Sequence, residues 1–220
     1  TFREGLDPRE LGLRIYTEKV VTLIRDNILP AAAEEGKLIP VINRFRPTNS
    51  TADVNYQTTR PVVQLTKSHL NAAMVQSGAM TGGFEVAAID VLEEADSVEY
   101  YTPNDRQVGL AIPYDYNGEQ KTYEPDFVVQ MRGGTIIMLE IKGAGGKRWD
   151  PNRFHAKNAA AEKWCQAVSN IGRYGQWVFE VCEETKEKTT PVLLREILAK
   201  HAGSADDLPF EVVDPAKAKI

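Results

Sequence analysis

The chain has only two cysteines, Cys165 and Cys182, among 220 residues. They form no CxxC pair and no Cys/His cluster, which argues against a structural zinc site. So few thiols suit a reduced, cytoplasmic protein better than a disulfide-stapled one, and both cysteines are read as thiols rather than a bridge. No apolar run approaches the ~20 residues needed to cross a bilayer, so no membrane partner is expected. The opening TFREGLDPRE lacks the apolar core of a signal peptide. Its first residue, Thr1, is what a segment of a longer polypeptide would show. No Gly-rich phosphate loop ending in Lys-Ser/Thr is present, so no nucleotide-driven motor is expected within these residues. An excess of base is missing too: 26 Lys and Arg face 31 Asp and Glu, a net charge of −5 that argues against a simple electrostatic nucleic-acid binder.

The charge is unevenly placed. Residues 81–125 hold ten acids and two bases, whereas residues 142–163 hold six bases, Lys142, Lys147, Arg148, Arg153, Lys157 and Lys163, against Asp150 and Glu162. A locally basic stretch in an acidic chain is either a solvated helix face or a local contact surface for an anion.

Helix-start chemistry opens the chain: Asp7 can cap, Pro8 fits the first helical position and Glu10 completes a capping-box spacing. Pro30 ends or kinks that helix, and a short helical turn closed by Gly36 follows. Residues 37–70 are rich in Thr, Pro and Asn and read as extended segments, with a short strand at PVVQLT. The lone His69 is read as structural. From residue 81 the pattern sharpens. TGGFEVAAIDVLEEAD predicts a helix with Phe84, Ala88, Val91 and Leu92 on one apolar face. SVEYYTPN predicts a strand. GLAIPYDYNGEQKTYEPDFVVQM predicts two strands joined at Asn117-Gly118. TIIMLEIK predicts a buried central strand. NRFHAKNAAAEKWCQAVSNIG predicts a helix with Trp164 toward the core, closed by Gly172 or Gly175. GQWVFEVCEE predicts the last strand and TPVLLREILAKHAG a final helix. With the Asn117-Gly118 hairpin counted as one unit, the order α-β-β-β-α-β implies an α/β (α+β) fold, a mixed sheet flanked by helices.

Within this pattern, YEPDFVVQMRGGTIIMLEIKG places Asp126, Glu140 and Lys142 in or beside two apolar strands. Residues i and i+2 of a strand share a face, so Glu140 and Lys142 project together. The turn Arg132-Gly133-Gly134 brings the start of one strand to the end of the other, and with it Asp126 to that pair. Two carboxylates held close repel each other unless a cation sits between them. A hard divalent ion such as Mg²⁺, with Mn²⁺ able to substitute, needs one or two carboxylates plus water and phosphate oxygens. A neighbouring lysine can orient an attacking water or stabilise charge developing on phosphate. Together these parts suit hydrolysis of a phosphodiester.

PDF followed by LEIK resembles the PD-(D/E)xK motif of the restriction-endonuclease-like nucleases, and the α-β-β-β-α-β order is similar to their core. Over roughly residues 40–182, TKSHLN, Phe84-Glu85, VGLAIPYDYNG, YEPDFVV, LEIKG, AAAEKWCQAV and GRYGQWVFEV resemble the C-terminal nuclease region of type III restriction-type R subunits, which are helicase–nucleases. The resemblance implies Asp126 and Glu140 as metal ligands with the Ile141 carbonyl, Lys142 as the catalytic lysine, and Glu85 as a further acid on the preceding helix. Glu85 follows Phe84 where the family usually has Trp. Lys147, Arg148 and Lys157 are expected near DNA phosphate, Lys157 alternatively at the active site.

The resulting expectation is a Mg²⁺-dependent DNA endonuclease domain of a restriction or phage-defence helicase–nuclease. Its partners would be double-stranded DNA, a helicase/ATPase motor in the same polypeptide and a second copy in a homodimer. Residues 1–80 would be a helical and extended connector packed on the core, residues 81–203 the nuclease core with its C-terminal helix, and residues 204–220 a polar tail. Two alternatives stay open: a nuclease-like module that only binds DNA or docks a partner, and an RNase with the same site chemistry.

Overall fold

The computed structural model describes residues 50–75, 83–104, 107–143 and 150–203. The chain divides into two units, residues 1–39 and 40–220, and every described residue belongs to the second. The expected helix begun by Asp7, Pro8 and Glu10, the turn closed by Gly36, Lys147 and Arg148, and the tail 204–220 all lie outside the described residues.

In chain order the elements are β1 (Val62–Gln64), β2 (Ala72–Met74), α1 (Phe84–Glu94), β3 (Val98–Pro103), β4 (Ile112–Tyr116), β5 (Glu119–Tyr123), β6 (Phe127–Met131), β7 (Thr135–Lys142), α2 (Pro151–Ile171), β8 (Gln176–Glu183) and α3 (Thr190–Lys200). A four-stranded mixed sheet has the order β3-β6-β7-β8. β3 and β7 run antiparallel to β6, while β8 runs parallel to β7 across the α2 crossover. The run TIIMLEIK lies inside this sheet, as its unbroken apolar character requires.

Strand alternation decides which side each β7 residue serves. Ile137, Leu139 and Ile141 enter one core cluster with Phe127 and Val129 of β6, Ala88, Ile89, Val91 and Leu92 of α1, and Leu194 and Leu198 of α3. Met138 faces the other way, into a cluster with Ile112, Tyr114 and Tyr123 of the β4–β5 ribbon and Ala161 and Cys165 of α2. Helices α1 and α3 thus cover one face, and α2 with the ribbon covers the other. Cys165 and Cys182 are both free and buried, one in each cluster, so the sheet separates them. Trp164 is half-buried against the second cluster and meets Trp177 edge-on at 5.1 Å.

Two expectations change. Asn117-Gly118 does make a tight turn, with φ of 53° and 76°, but β4 and β5 form their own two-stranded sheet. The segment EPDFVVQM leaves that ribbon and supplies β6 to the main sheet. Phe84 does not share the apolar face of α1: it is 43% exposed, and Ile89 is buried with Ala88, Val91 and Leu92 instead. One element lies where the sequence offered no reading: AAM at 72–74 forms β2 despite its helix-favouring residues, because it pairs with β1. The β1–β2 segment contributes Leu65, Leu70 and Ala73 to the first core cluster, and Glu93 of α1 secures it by accepting from Thr66 N–H (2.9 Å) and Lys67 N–H (3.2 Å).

Both turn residues of the β4–β5 ribbon occupy left-handed backbone, as a type I′ turn requires. A Cβ at Gly118 would meet nothing within 4 Å. Gly118→Ala is therefore expected to cost about 1 kcal/mol, all of it backbone strain, and Gly118→Asn less, because Asn tolerates this region. Urea denaturation of the two variants checks this; equal losses would refute it.

Candidate functional site

Glu140 is the anchor of the site. It lies near the C-terminal end of β7, opposite in sense to Leu139 and Ile141, and is 5% exposed. A buried carboxylate needs hydrogen-bonding or charged partners. Tyr123, the last residue of β5, donates its hydroxyl to Glu140 Oε2 at 2.8 Å. Lys157, on the second turn of α2, donates its ammonium to Oε1. Lys142 Nζ stands 3.7 Å from the same oxygen, so the i, i+2 pair expected from strand alternation is present. Lys157 is held further by aromatic rings: its Nζ lies 4.5 Å from the Tyr123 ring centroid and 5.4 Å from that of Phe154. Burial, and then the charge of Glu140, push the Tyr123 hydroxyl pKa far above its ordinary value, which keeps it a donor.

Asp126 immediately precedes β6. Its N–H donates to the Leu139 carbonyl at 3.1 Å, and its Oδ2 accepts from Ile141 N–H at 2.7 Å. The side chain thus continues the β6–β7 ladder where the backbone of β6 departs. Asn104 fixes the approach to it. The Asn104 N–H donates to the Asp126 carbonyl (2.8 Å), and its Nδ2 donates to the carbonyls of Leu110 (2.8 Å) and Pro125 (2.9 Å). Burial first, and then repulsion by Glu140, raise the Asp126 carboxyl to about 7; Glu85 pushes in the same direction, while the Ile141 N–H and Lys157 oppose it. The Ile141 N–H faces this edge. In an extended strand the carbonyl of a residue points the same way as its N–H, so the Ile141 carbonyl opens on the Asp126 side.

Four of the sequence-predicted residues front two clefts. Glu85, the second residue of α1, lines a cleft of about 160 Å³ together with Asp126, Ile89 and Phe127. Lys142 and Lys157 line a second cleft of about 320 Å³ with Tyr114, Tyr123 and Arg153. Asp126, Glu140, Lys142 and Lys157 are therefore linked by contact or by charge, and Glu85 reaches Asp126 by charge alone. Among the described residues, no three His, Cys, Asp or Glu side chains group closely enough to hold a metal ion. What the chain offers a cation is two mutually repelling carboxylates, Asp126 and Glu140, and the Ile141 carbonyl. This all-oxygen, incomplete set, with one carboxyl pushed toward neutrality by burial and then by its neighbour, fits a hard ion that keeps several waters. Phe84 has its own place here: its ring lies against Gly143, where an added Cβ would overlap it, so the start of α1 and the end of β7 approach closely.

Tyr123 and Asn104 were not singled out from the sequence. Tyr123 reads locally as a strand residue and Asn104 as a turn residue; what gives each its role is a partner 17 or 21 positions away. Lys157, expected near DNA phosphate or at the carboxylate site, pairs with Glu140 and is 14% exposed in its side chain.

No family model matches the chain, and no curated protein or solved structure matches it. Among the described residues no helix is long and apolar enough to cross a membrane.

Proposed function

We propose that the chain is a Mg²⁺-dependent endonuclease domain with a restriction-endonuclease-like core, acting on DNA as part of a helicase–nuclease. The observation that carries this reading is the meeting of Asp126, Glu140 and Lys142 at one end of the β6–β7 pair, with the acids repelling each other and the lysine beside them. Setting aside the β4–β5 ribbon, the order α1-β3-β6-β7-α2-β8 runs α-β-β-β-α-β, which supports this reading.

In this reading Asp126, Glu140 and the Ile141 carbonyl hold the ion, which when bound neutralises phosphate charge and lowers the pKa of its water. Lys142 donates to the attacking water or to a nonbridging phosphate oxygen, and the adjacent Glu140 holds its ammonium in place. Tyr123 and Lys157 fix the Glu140 carboxylate so that it presents a remaining lone pair. Glu85 adds negative charge on the far side of Asp126, where it draws cations toward the site.

Incubation of the purified chain with supercoiled plasmid tests the proposal. Mg²⁺ or Mn²⁺ should yield nicked and linear DNA, EDTA should stop it, and Lys142→Ala should slow it about 10²-fold or more. Cleavage that survives EDTA, or that Lys142→Ala leaves untouched, would sink the assignment. A non-catalytic binding module is the rival, favoured by one observation: Lys157 already neutralises Glu140. It expects no carboxylate-dependent Mn²⁺ binding by titration and no plasmid cleavage.

A further inference from the structure

Part of the basic stretch seen in the sequence has a use beyond the carboxylate site. The second cleft gathers Lys142, Lys157 and Arg153 between the β4–β5 ribbon and the start of α2. Lys157 is committed to Glu140, whereas Lys142 is one-third exposed in its side chain. Arg153 is placed differently. Its Nε donates to the Tyr114 hydroxyl at 3.0 Å, and among the described residues this is the guanidinium's one hydrogen bond. The fork is thereby oriented through one nitrogen, leaving its two terminal nitrogens for a planar acceptor. Tyr114 is 6% exposed and packed in the second core cluster, so it is a firm anchor. Its oxygen accepts from Arg153, which leaves its own proton to donate into the cleft.

Two carboxylates also line this cleft, Glu124 and Asp150. Asp150 is already engaged: Oδ1 caps α2 by accepting from Asn152 N–H (3.1 Å) and Arg153 N–H (3.2 Å), and Oδ2 accepts from the Tyr116 hydroxyl at 2.8 Å. The Tyr116 bond first, and then these backbone bonds, lower its pKa, so it stays an acceptor turned to the helix and ribbon. That engagement also ties the ribbon to α2 and sets the width of the cleft.

We propose that this cleft is a phosphate-binding subsite for a nucleic-acid strand, in which Arg153 and the Tyr114 hydroxyl hold the nonbridging oxygens of a phosphodiester neighbouring the one at Lys142. Arg153 is then a positioning residue: it sets the register of the strand past the carboxylates and reads no base. The inference deepens the nuclease proposal and rests on it for the identity of the strand.

The test is binding of a short fluorescein-labelled DNA duplex, and of its single strand, by fluorescence anisotropy over a series of salt concentrations. The full chain carrying Asp126→Asn serves as a non-cleaving background. Adding Arg153→Ala should weaken binding about ten-fold and reduce the slope of log affinity against log salt by about one, as loss of one phosphate contact does. Arg153→Lys should restore the slope and only part of the affinity, because a point charge replaces a fork. Tyr114→Phe should weaken binding less than Arg153→Ala while leaving the slope intact. Unchanged affinity and slope in Arg153→Ala would overturn the subsite, whatever the plasmid assay shows. Conversely, Arg153-dependent binding by a chain whose wild type cuts no DNA would retain the subsite and remove the nuclease. Arg153 is exposed on the first turn of α2, so its truncation is not expected to unfold the chain.

Discussion

Asp126→Asn is expected to slow Mg²⁺-dependent cleavage at least about 10²-fold while raising the thermal stability of the metal-free protein at pH 8. The two effects have one cause. In the folded chain, burial and the charge of Glu140 raise the Asp126 carboxyl to about 7 from an ordinary value of 3.8. The folded state therefore binds a proton more tightly than the unfolded state does. Below pH 4 both states carry the proton and the carboxyl is no burden. As pH rises from about 4 to about 7 the burden grows, and above 7 it is complete. Asparagine keeps an oxygen for the Ile141 N–H without the charge. The gain at pH 8 should be on the order of 2–4 kcal/mol, roughly 5–10 °C in melting temperature for a chain of this size. At pH 4 it should vanish. Differential scanning calorimetry at the two pH values, in EDTA, checks this; a variant that melts at or below wild type at pH 8 would show that Asp126 is not held against its neighbours. The same linkage predicts that Mn²⁺ binds more tightly as pH rises toward 7, with release of a proton.

Lys157→Ala is expected to destabilise the fold by about 3 kcal/mol, because it leaves the 5%-exposed Glu140 without its closest counter-charge. The remaining lysine, Lys142, stands farther away, at 3.7 Å, and is more exposed. Removing both charges together, in Lys157→Ala with Glu140→Gln, should recover most of the electrostatic part of the loss, since a buried pair contributes less to stability than a broken pair costs. Tyr123 can still donate to the glutamine oxygen. Urea denaturation of the two single variants and the double variant closes the cycle. A loss under about 1 kcal/mol in Lys157→Ala, with no coupling to Glu140→Gln, would mean the pair is solvated rather than buried.

Glu140 and Lys142 could be placed on one side of a strand because a period of two is a property of three consecutive residues. The same local rule separates Leu139 and Ile141 from them, and the two core clusters follow that division. The Asn117-Gly118 turn was equally legible, since its dihedral angles are demanded by the residue types themselves. What those strands would pair with was not. Nothing local in GEQKTYEPDFVVQM says that its first half stays in a ribbon and its second half joins the central sheet. That choice depends on β3 and β7, which pair with β6 along its two edges. Phe84 illustrates the limit on a helix: periodicity puts it on the apolar stripe, but the close approach of Gly143 draws its ring to the rim of the site.

The chain's own order of residues thus determined most of the elements and the sides of the central strand, because each is set by neighbours within a few positions, and one tight turn was enough to bring Asp126 to Glu140 and Lys142. Tertiary structure alone decided that Lys157 neutralises Glu140, that Tyr123 shares this carboxylate, that Asn104 holds Asp126, and that Tyr114 orients Arg153. These contacts join β4, β5, the loop after β3 and α2 to the ends of β6 and β7. Their energies come from burial and charge at distances that no local spacing encodes.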